Sequence, residues 1–384
     1  MMGNPEVRRN RRLRTAATAV LAALTLGTAD AGAAQRVNLT LGLGAIYDTN
    51  LLKYSADQRT LFESGTRPDR FSIHSLDDLT WNPFVALAWD ADAGRGRHHI
   101  LRLKSEGEFH DRNPTADFHS ISAGWRETWR GGRRFSVGYY GLPHYYLRQL
   151  VDEDYVTPFP GLALHRRAQF DLQIASTSWG QRIARNTDTE LAYQFENRRY
   201  VPDFRERDSK THQGELTFGF TGLPDRGSID VSGGWRVSNA KGVDGDEVAG
   251  APPDDQDLTY HGPIASVRGR AELGRTARWR VIGDAGYQFG SRTYDSKVPA
   301  DRFHFGRRDA LNAVELGLRA QFRPHLSARG FFRHESNNAH HGANVASTTD
   351  LGSYSQNQVG LVVDWSGAIW RSQRATAAEP DTTN

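Results

Sequence analysis

Cysteine is absent from the 384-residue chain, which excludes a disulfide framework and any thiolate metal site. Beyond residue 34, no stretch offers the ~18 apolar residues that a membrane helix needs. No Gly-x-Ser-x-Gly nucleophile elbow is present. An excess of one charge sign is also missing once the N-terminus is set aside. The formal net charge is +3, which invites a nucleic-acid reading. The imbalance, however, sits in residues 1–34, with five arginines (Arg8, Arg9, Arg11, Arg12 and Arg14) against Glu6 and Asp30. Without them the two signs are equal in number, and no nucleic-acid partner is expected.

That N-terminal segment has the layout of a secretory signal peptide. An Arg-rich start is followed by "TAATAVLAALTLGTADAGAA", a small and apolar stretch ending in Ala31-Gly32-Ala33. Residues 1–34 are therefore predicted to be removed on export, with the mature chain starting near Ala34 or Gln35. An uncleaved anchor helix is the alternative.

What the chain has in abundance is alternation. In "LRLKSEGEFH" (101–110), Leu101, Leu103, Ser105, Gly107 and Phe109 interleave with Arg102, Lys104, Glu106, Glu108 and His110. Successive strand residues point to opposite faces, so one face suits an apolar phase and the other is ionic. "VNLTLGLGAIY" (37–47), "AQFDLQI" (168–174), "TDTELAYQFE" (187–196), "WRVIGDAGYQF" (279–289) and "QVGLVVDW" (358–365) repeat the pattern. Their predicted apolar faces include Ala168, Phe170, Leu172 and Ile174 in the second.

Fourteen such segments can be drawn: 37–47, 81–89, 99–110, 118–129, 134–148, 166–178, 187–199, 210–221, 227–238, 259–273, 278–291, 308–322, 326–335 and 355–365. Many exceed the ~5–6 residues usual for soluble strands and reach the ~9–11 of a tilted membrane strand. Connection lengths alternate. "RGGR" (130–133), "GLPDR" (222–226), "GRTA" (274–277) and "RPH" (323–325) are short, whereas those starting at 48, 111, 149, 200, 239, 292 and 336 are mostly long and polar. Short turns at one end and long loops at the other are the pattern of an outer-membrane barrel. The expected fold is all-β, an antiparallel transmembrane β-barrel of about 14 strands over residues 35–370, with a polar tail at 371–384. Trp89, Trp129, Trp279 and Trp365 are predicted at periplasmic strand ends, and Trp81 and Tyr145 at outer ends, as two aromatic girdles. A soluble β-sandwich would explain the alternation but neither the strand lengths nor the loop rule.

The early "GLGAIYDTNLLKYS" (42–55) resembles the first hairpin of Gram-negative β-barrel porins, some of them associated with exopolysaccharide export. It is also similar to the barrel of surface-protein assembly modifiers. The resemblance covers essentially the whole mature chain. It implies an outer-membrane location, contact with outer-membrane lipids and lipopolysaccharide, and insertion by the barrel assembly machinery. Several features depart from related families. The helical repeats of assembly modifiers are missing, as is the N-terminal plug of fatty-acid channels and TonB-dependent transporters. The chain also continues past Trp365 and Trp370 into "RSQRATAAEPDTTN", where such barrels often end on an aromatic residue.

The resemblance implies a channel for small hydrophilic solutes or envelope polysaccharide. A translocation or assembly barrel and a non-conducting structural barrel are the alternatives. No enzyme is expected, although His144 and Ser136 are read onto the lumen side of one strand. No cofactor or metal is expected either. "HESNNAHHG" (334–342) is read as a solvated loop without zinc spacing, and "DGDE" (244–247) and "DDQD" (254–257) lack EF-hand order. Gly42 and Gly44 are read as easing strand curvature.

Parity assigns the lumen face. Arg102, Lys104, Glu106 and Glu108 point inward on strand three. Arg167, Asp171, Asp188, Glu190, Glu196, Glu215 and Asp230 give a mainly acidic wall on strands six to nine. Arg268, Arg270, Arg280, Arg319, Arg329 and Arg333, with Glu272, Asp284, Glu315 and Glu335, give a wall richer in arginine on strands ten to thirteen. These charges either pair across strands and close the interior, or line a water-filled pore with a lateral field. The first loop, residues 48–80, is the longest connection. Its "NLLKYSADQRTLF" (50–62) is apolar enough to fold inward, with Asn50 capping a short helix and Lys53 and Arg59 near a constriction. Packing on the barrel rim is the alternative.

Overall fold

In the computed structural model the described residues are 34–66, 68–94, 96–151, 165–223, 227–242, 257–276, 278–296, 304–340 and 352–372. Residues 1–33, which hold nearly all of the segment expected to be a signal peptide, the acidic stretches at 244–247 and 254–256, and the tail from 373 lie outside them. Fourteen strands alternate up and down: β1 (Gln35–Asp48), β2 (Asp78–Asp92), β3 (His98–His110), β4 (Phe118–Thr128), β5 (Arg134–Val151), β6 (His165–Ala184) and β7 (Thr187–Tyr200). They continue with β8 (Ser209–Leu223), β9 (Gly227–Ala240), β10 (Tyr260–Arg275), β11 (Arg280–Tyr294), β12 (Arg308–Arg323), β13 (Leu326–His340) and β14 (Tyr354–Arg371).

Each strand pairs antiparallel with its sequence neighbours, and β1 closes on β14, from Arg36 opposite Arg371 to Asp48 opposite Gln358. Closure leaves no edge strand, the condition for placing a sheet in lipid. β14 runs on past Trp365, which was expected at its end, because β1 begins at Gln35 and residues 366–371 pair with its first turn-end residues. β6 likewise continues past Gly180 to a tight turn at residues 185–186, and β13 extends through residues 336–340, beyond the strand expected to end at 335.

The apolar face points outward. Leu41, Leu43, Leu87, Leu191, Leu216, Val267, Leu316, Leu318, Val359 and Leu361 are large, apolar and exposed. In water this would be a severe cost; in hydrocarbon it is the required surface. Tryptophan marks the turn end of that band, where Trp179, Trp279, Trp365 and Trp370 are exposed and Trp129 lies 5.5 Å from Trp179. Trp81 and Trp235 are exposed toward the loop end.

The interior has little apolar core. Its one buried apolar cluster among the described residues belongs to the first loop: Leu52, Tyr54 and Ile73, packed with Ala116 and Tyr146. Elsewhere, inner-face glycines make room for rings. Phe84 of β2 lies over Gly42 of β1, and Phe331 of β13 lies over Gly360 of β14, so a Cβ at either glycine would overlap the ring. Gly42 thus serves a close approach, beyond the curvature expected of it.

Candidate functional site

The exposed apolar residues fix which alternate positions face inward. Arg102, Lys104, Glu106 and Glu108 of β3 lie on inner rows, as do Asp188 and Glu190 of β7 and Arg268 and Arg270 of β10. The same holds for Arg280 of β11, Glu315 and Arg319 of β12, and Arg329 and Arg333 of β13. Many of these are paired. Arg134 of β5 reaches Glu190 at 2.8 Å, Lys104 reaches Glu106 at 2.7 Å, and Arg280 reaches Glu272 at 2.7 Å. A continuous chain crosses three strands: Asp284 to Arg329 at 2.8 Å, Arg329 to Glu315 at 2.6 Å, Arg333 to Glu315 at 3.6 Å, and Arg333 to Glu335 at 2.9 Å.

Others are not. Among the described residues Arg102, Arg268, Arg270 and Arg319 have no carboxylate within ion-pair distance, and Glu108, Glu215 and Asp230 have no cation. Arg268, Arg270 and Asp230 share a cavity of about 490 Å³ with Arg329, Arg333 and Glu315. A second cavity of about 290 Å³ lies beside it, lined by Glu215, Arg236 and Glu335 among others.

The first loop is tied to this face at one end. Asn50 is buried, but it does not cap a helix. Its Oδ1 accepts the Tyr54 N–H at 2.8 Å, and its Nδ2 donates to the carbonyls of Tyr54 at 2.8 Å and Ser355 at 3.0 Å. The short side chain closes a local turn, a competing use for asparagine. The helix, α1 (Ala56–Ser64), is capped by Ser55, whose hydroxyl accepts the Gln58 N–H while the Gln58 side chain accepts the Ser55 N–H.

Two consecutive residues then meet opposite walls. Lys53, held at φ 54°, donates to Glu335 of β13 at 2.5 Å, and the Tyr354 hydroxyl donates to the same carboxylate at 2.6 Å. The Leu52 carbonyl accepts from Arg148 of β5 at 2.9 Å. Five strands separate β13 from β5 on one side of the closed sheet and seven on the other, so the chain crosses between nearly opposite walls. Arg59 lies on the exposed side of α1 with no side-chain partner among the described residues, away from the contacts that hold Lys53.

Further along, Asn113 accepts the His74 N–H at 2.7 Å, tying the loop to the β3–β4 connection. Asp77 accepts from the Ser75 hydroxyl, from the Tyr47 hydroxyl at 2.6 Å and from Arg112 at 3.0 Å. The Ser75 bond and then the Tyr47 bond hold its carboxyl below the usual range. Burial pushes the Tyr54 hydroxyl up.

One stretch is turned the other way from its predicted orientation. Ser176, Gly180 and Arg182 of β6 oppose inner-row Gln194, Glu190 and Asp188, which puts Ile174, Leu172, Phe170 and Ala168 on the inner face as well. Asp171 and Arg167 therefore occupy the outer rows of β6, contrary to expectation. Tyr145, expected in the outer girdle, also faces inward. The cause lies in β5: the register slips between Leu142 and Tyr145, where Pro143 lacks a ladder donor and His144 adopts φ 54°. The extra residue carries Tyr145 to the same face as Leu142. Proline inside an alternating run was the available signal. His144 is exposed at this bulge and Ser136 bonds Arg126, so the two do not meet. In 334–340, His334 and Glu335 lie on opposite faces of β13; His341 is outside the described residues.

A closed fourteen-strand antiparallel barrel with an apolar outer band and a charged inner face is a transmembrane β-barrel. No family model matches the chain, and no curated protein matches it. Among solved structures, the outer membrane channel DcaP of Acinetobacter baumannii is 12% identical over 88% of this chain and 99% of its own, with a TM-score of 0.41. An anion-selective porin from Comamonas acidovorans is 9% identical over 87% of this chain and 100% of its own, at 0.40. A bacterial polysaccharide outer membrane secretin is 10% identical over 85% of this chain and 97% of its own, at 0.39.

Proposed function

We propose that this barrel is an exported outer-membrane channel for small hydrophilic solutes, narrowed by its first loop. The observation that carries this reading is the loop's double anchorage. Leu52 is held by Arg148 on β5 and Lys53 by Glu335 on β13, so this point of the loop lies between two nearly opposite walls. Residues placed there set the width of the path, and Lys53 is the cation at that point. Arg59 is exposed on α1 and supplies a second cation on the same loop. The short turns would face the periplasm and the long loops the outside.

The inner charges suit such a path, because field lines from fixed charges orient polar solutes in a channel. Envelope polysaccharide is a larger cargo that would need the loop to swing aside.

Deleting residues 51–64 tests this. The variant is expected to retain the heat-modifiable migration of a folded barrel and to show higher single-channel conductance in planar bilayers. Unchanged conductance in a folded deletion would leave the loop as a rim cap and end the constriction reading. A folded wild type that never conducts would favour a structural barrel.

A further inference from the structure

The inward turn of β6 creates a feature that the alternation did not announce. Phe118 of β4, Tyr145 of β5, Phe170 of β6 and Tyr200 of β7 form one row across four adjacent strands. Their ring centroids are 5.3, 5.2 and 5.1 Å apart in turn. All four stand on inner rows: Phe118 opposes Glu108, Tyr145 opposes Phe170, and Phe170 opposes Tyr200. Phe118 opens β4 and Tyr200 closes β7, so the row lies at the loop end of the barrel. Leu142, Leu172 and Ile174 continue the apolar surface toward the turn end.

Among the described residues, the first loop's rings contact one another and not this row. Tyr54 and Phe62 pack on Phe71, and Tyr54 lies in the buried cluster with Tyr146. Phe170 is buried beneath the guanidinium of Arg198, 5.5 Å from its centroid, whereas Phe118, Tyr145 and Tyr200 each keep part of their surface open. An apolar aromatic strip on the inner wall of a polar barrel is costly in water unless something stacks on it.

The polar groups beside the row narrow what that is. Glu108 flanks Phe118 and has no cation within ion-pair distance among the described residues. At the other end Arg198 is ion-paired with Glu196 at 2.6 Å, and Lys104 with Glu106 at 2.7 Å. Of these groups, Glu108 alone lacks an ion partner. Carboxylates accept hydroxyl donors and repel anions. Aromatic faces bind the C–H faces of flat rings.

We infer that the Phe118–Tyr145–Phe170–Tyr200 row is a binding track for neutral saccharides just inside the loop-end mouth, with Glu108 as a hydroxyl acceptor. This deepens the channel reading and rests on it for the passage of the sugar, though not for its binding.

The test is calorimetric titration of the folded protein in detergent micelles with neutral linear gluco-, manno- and galacto-oligosaccharides. A uronic-acid oligosaccharide and a polyethylene glycol of matched length serve as comparisons. At least one neutral series is expected to bind. Phe118→Ala and Tyr200→Ala should each weaken it roughly three- to tenfold, the loss of one stacking surface. Tyr200→Phe should restore it, and Phe195→Ala, on the lipid side of the same strand, should leave it unchanged. Folding of each variant is read from heat-modifiable migration. The inference is overturned if no neutral series binds, if the uronate or the glycol binds as tightly, or if folded Phe118→Ala and Tyr200→Ala bind like wild type. Because micelle binding needs no current, a sugar-binding barrel that does not conduct would remove the channel reading alone. A conducting barrel that binds no sugar would remove this one alone.

Discussion

Leu316 and Glu315 are neighbours in β12 that face opposite solvents, and they make the sharpest test of the architecture. Leu316 is the ninth of sixteen residues in the strand, 51% exposed on the outer face, between Ala285 of β11 and Phe332 of β13. Arginine at the bilayer midplane of a barrel costs about 2–4 kcal/mol. At about 1.4 kcal/mol per factor of ten, Leu316→Arg should lower the folding equilibrium constant roughly 30- to 700-fold. Glu315→Gln removes one charge next door without changing size. Arg329 keeps Asp284 and Arg333 keeps Glu335, so the loss should be about 1 kcal/mol or less for these part-exposed pairs. Urea unfolding in lipid vesicles, followed by tryptophan fluorescence, measures both. A Leu316→Arg midpoint equal to that of Glu315→Gln would refute the assignment of faces.

The ends of the barrel can be assigned by labelling, since the chain has no native thiol. Glu63→Cys on α1 should react with an impermeant maleimide on intact cells, and Arg130→Cys in the β4–β5 turn only after the outer membrane is opened. The Asp77 strap has a defined acid limit. Its folded pKa is depressed, so its contribution is complete above the unfolded value of about 3.9 and is lost as pH falls through the lower folded value. Current noise from the first loop should therefore be the same at pH 7 and pH 5 and should rise only below about pH 4. Asp77→Asn should show the acid-type noise already at pH 7.

The barrel was legible because each strand solves one local problem. An apolar residue every second position meets lipid, and closure removes the edges, so parity alone places Arg102, Glu190, Arg268 and Glu315 on inner rows. Parity gives the wrong face along β6, whose inner row runs without interruption from Arg182 through Ser176 to Phe170. There the rows of β6 turned Phe170 and Leu172 inward, and Asp171 outward, without breaking any pattern in the sequence. Pro143 signalled the bulge that brings Tyr145 to the same face, but a bulge gives no direction until its partner strand is known. The second slip, between Tyr146 and Arg148, has no comparable sequence mark. The first loop was recognisable as apolar and partly helical. Its cap was misplaced because Asn50 and Ser55 are both good capping residues, and only the contact with Ser355, more than three hundred residues away, decides between them.

Charges on an inner face are required whether or not the barrel conducts, since lipid excludes them on the other side. Pairing is what separates a sealed interior from a working path. The chain from Asp284 to Glu335 neutralises itself, whereas Arg268 and Arg270 on β10 stand uncompensated beside the equally uncompensated Asp230 on β9 and Glu215 on β8. Paired charges contribute little field at a distance, so these four groups, which line the two adjoining cavities, should contribute to ion selectivity with the other unpaired inner charges. Arg268→Ser with Arg270→Ser should move the reversal potential in a salt gradient toward cations. Glu215→Gln with Asp230→Asn should move it by a similar amount toward anions. The shifts should grow as salt falls, because the Debye length lengthens from about 10 Å at 0.1 M to about 30 Å at 0.01 M. If a conducting barrel keeps its wild-type reversal potential in both double variants at low salt, permeant ions do not pass these groups, and the path runs elsewhere in the lumen.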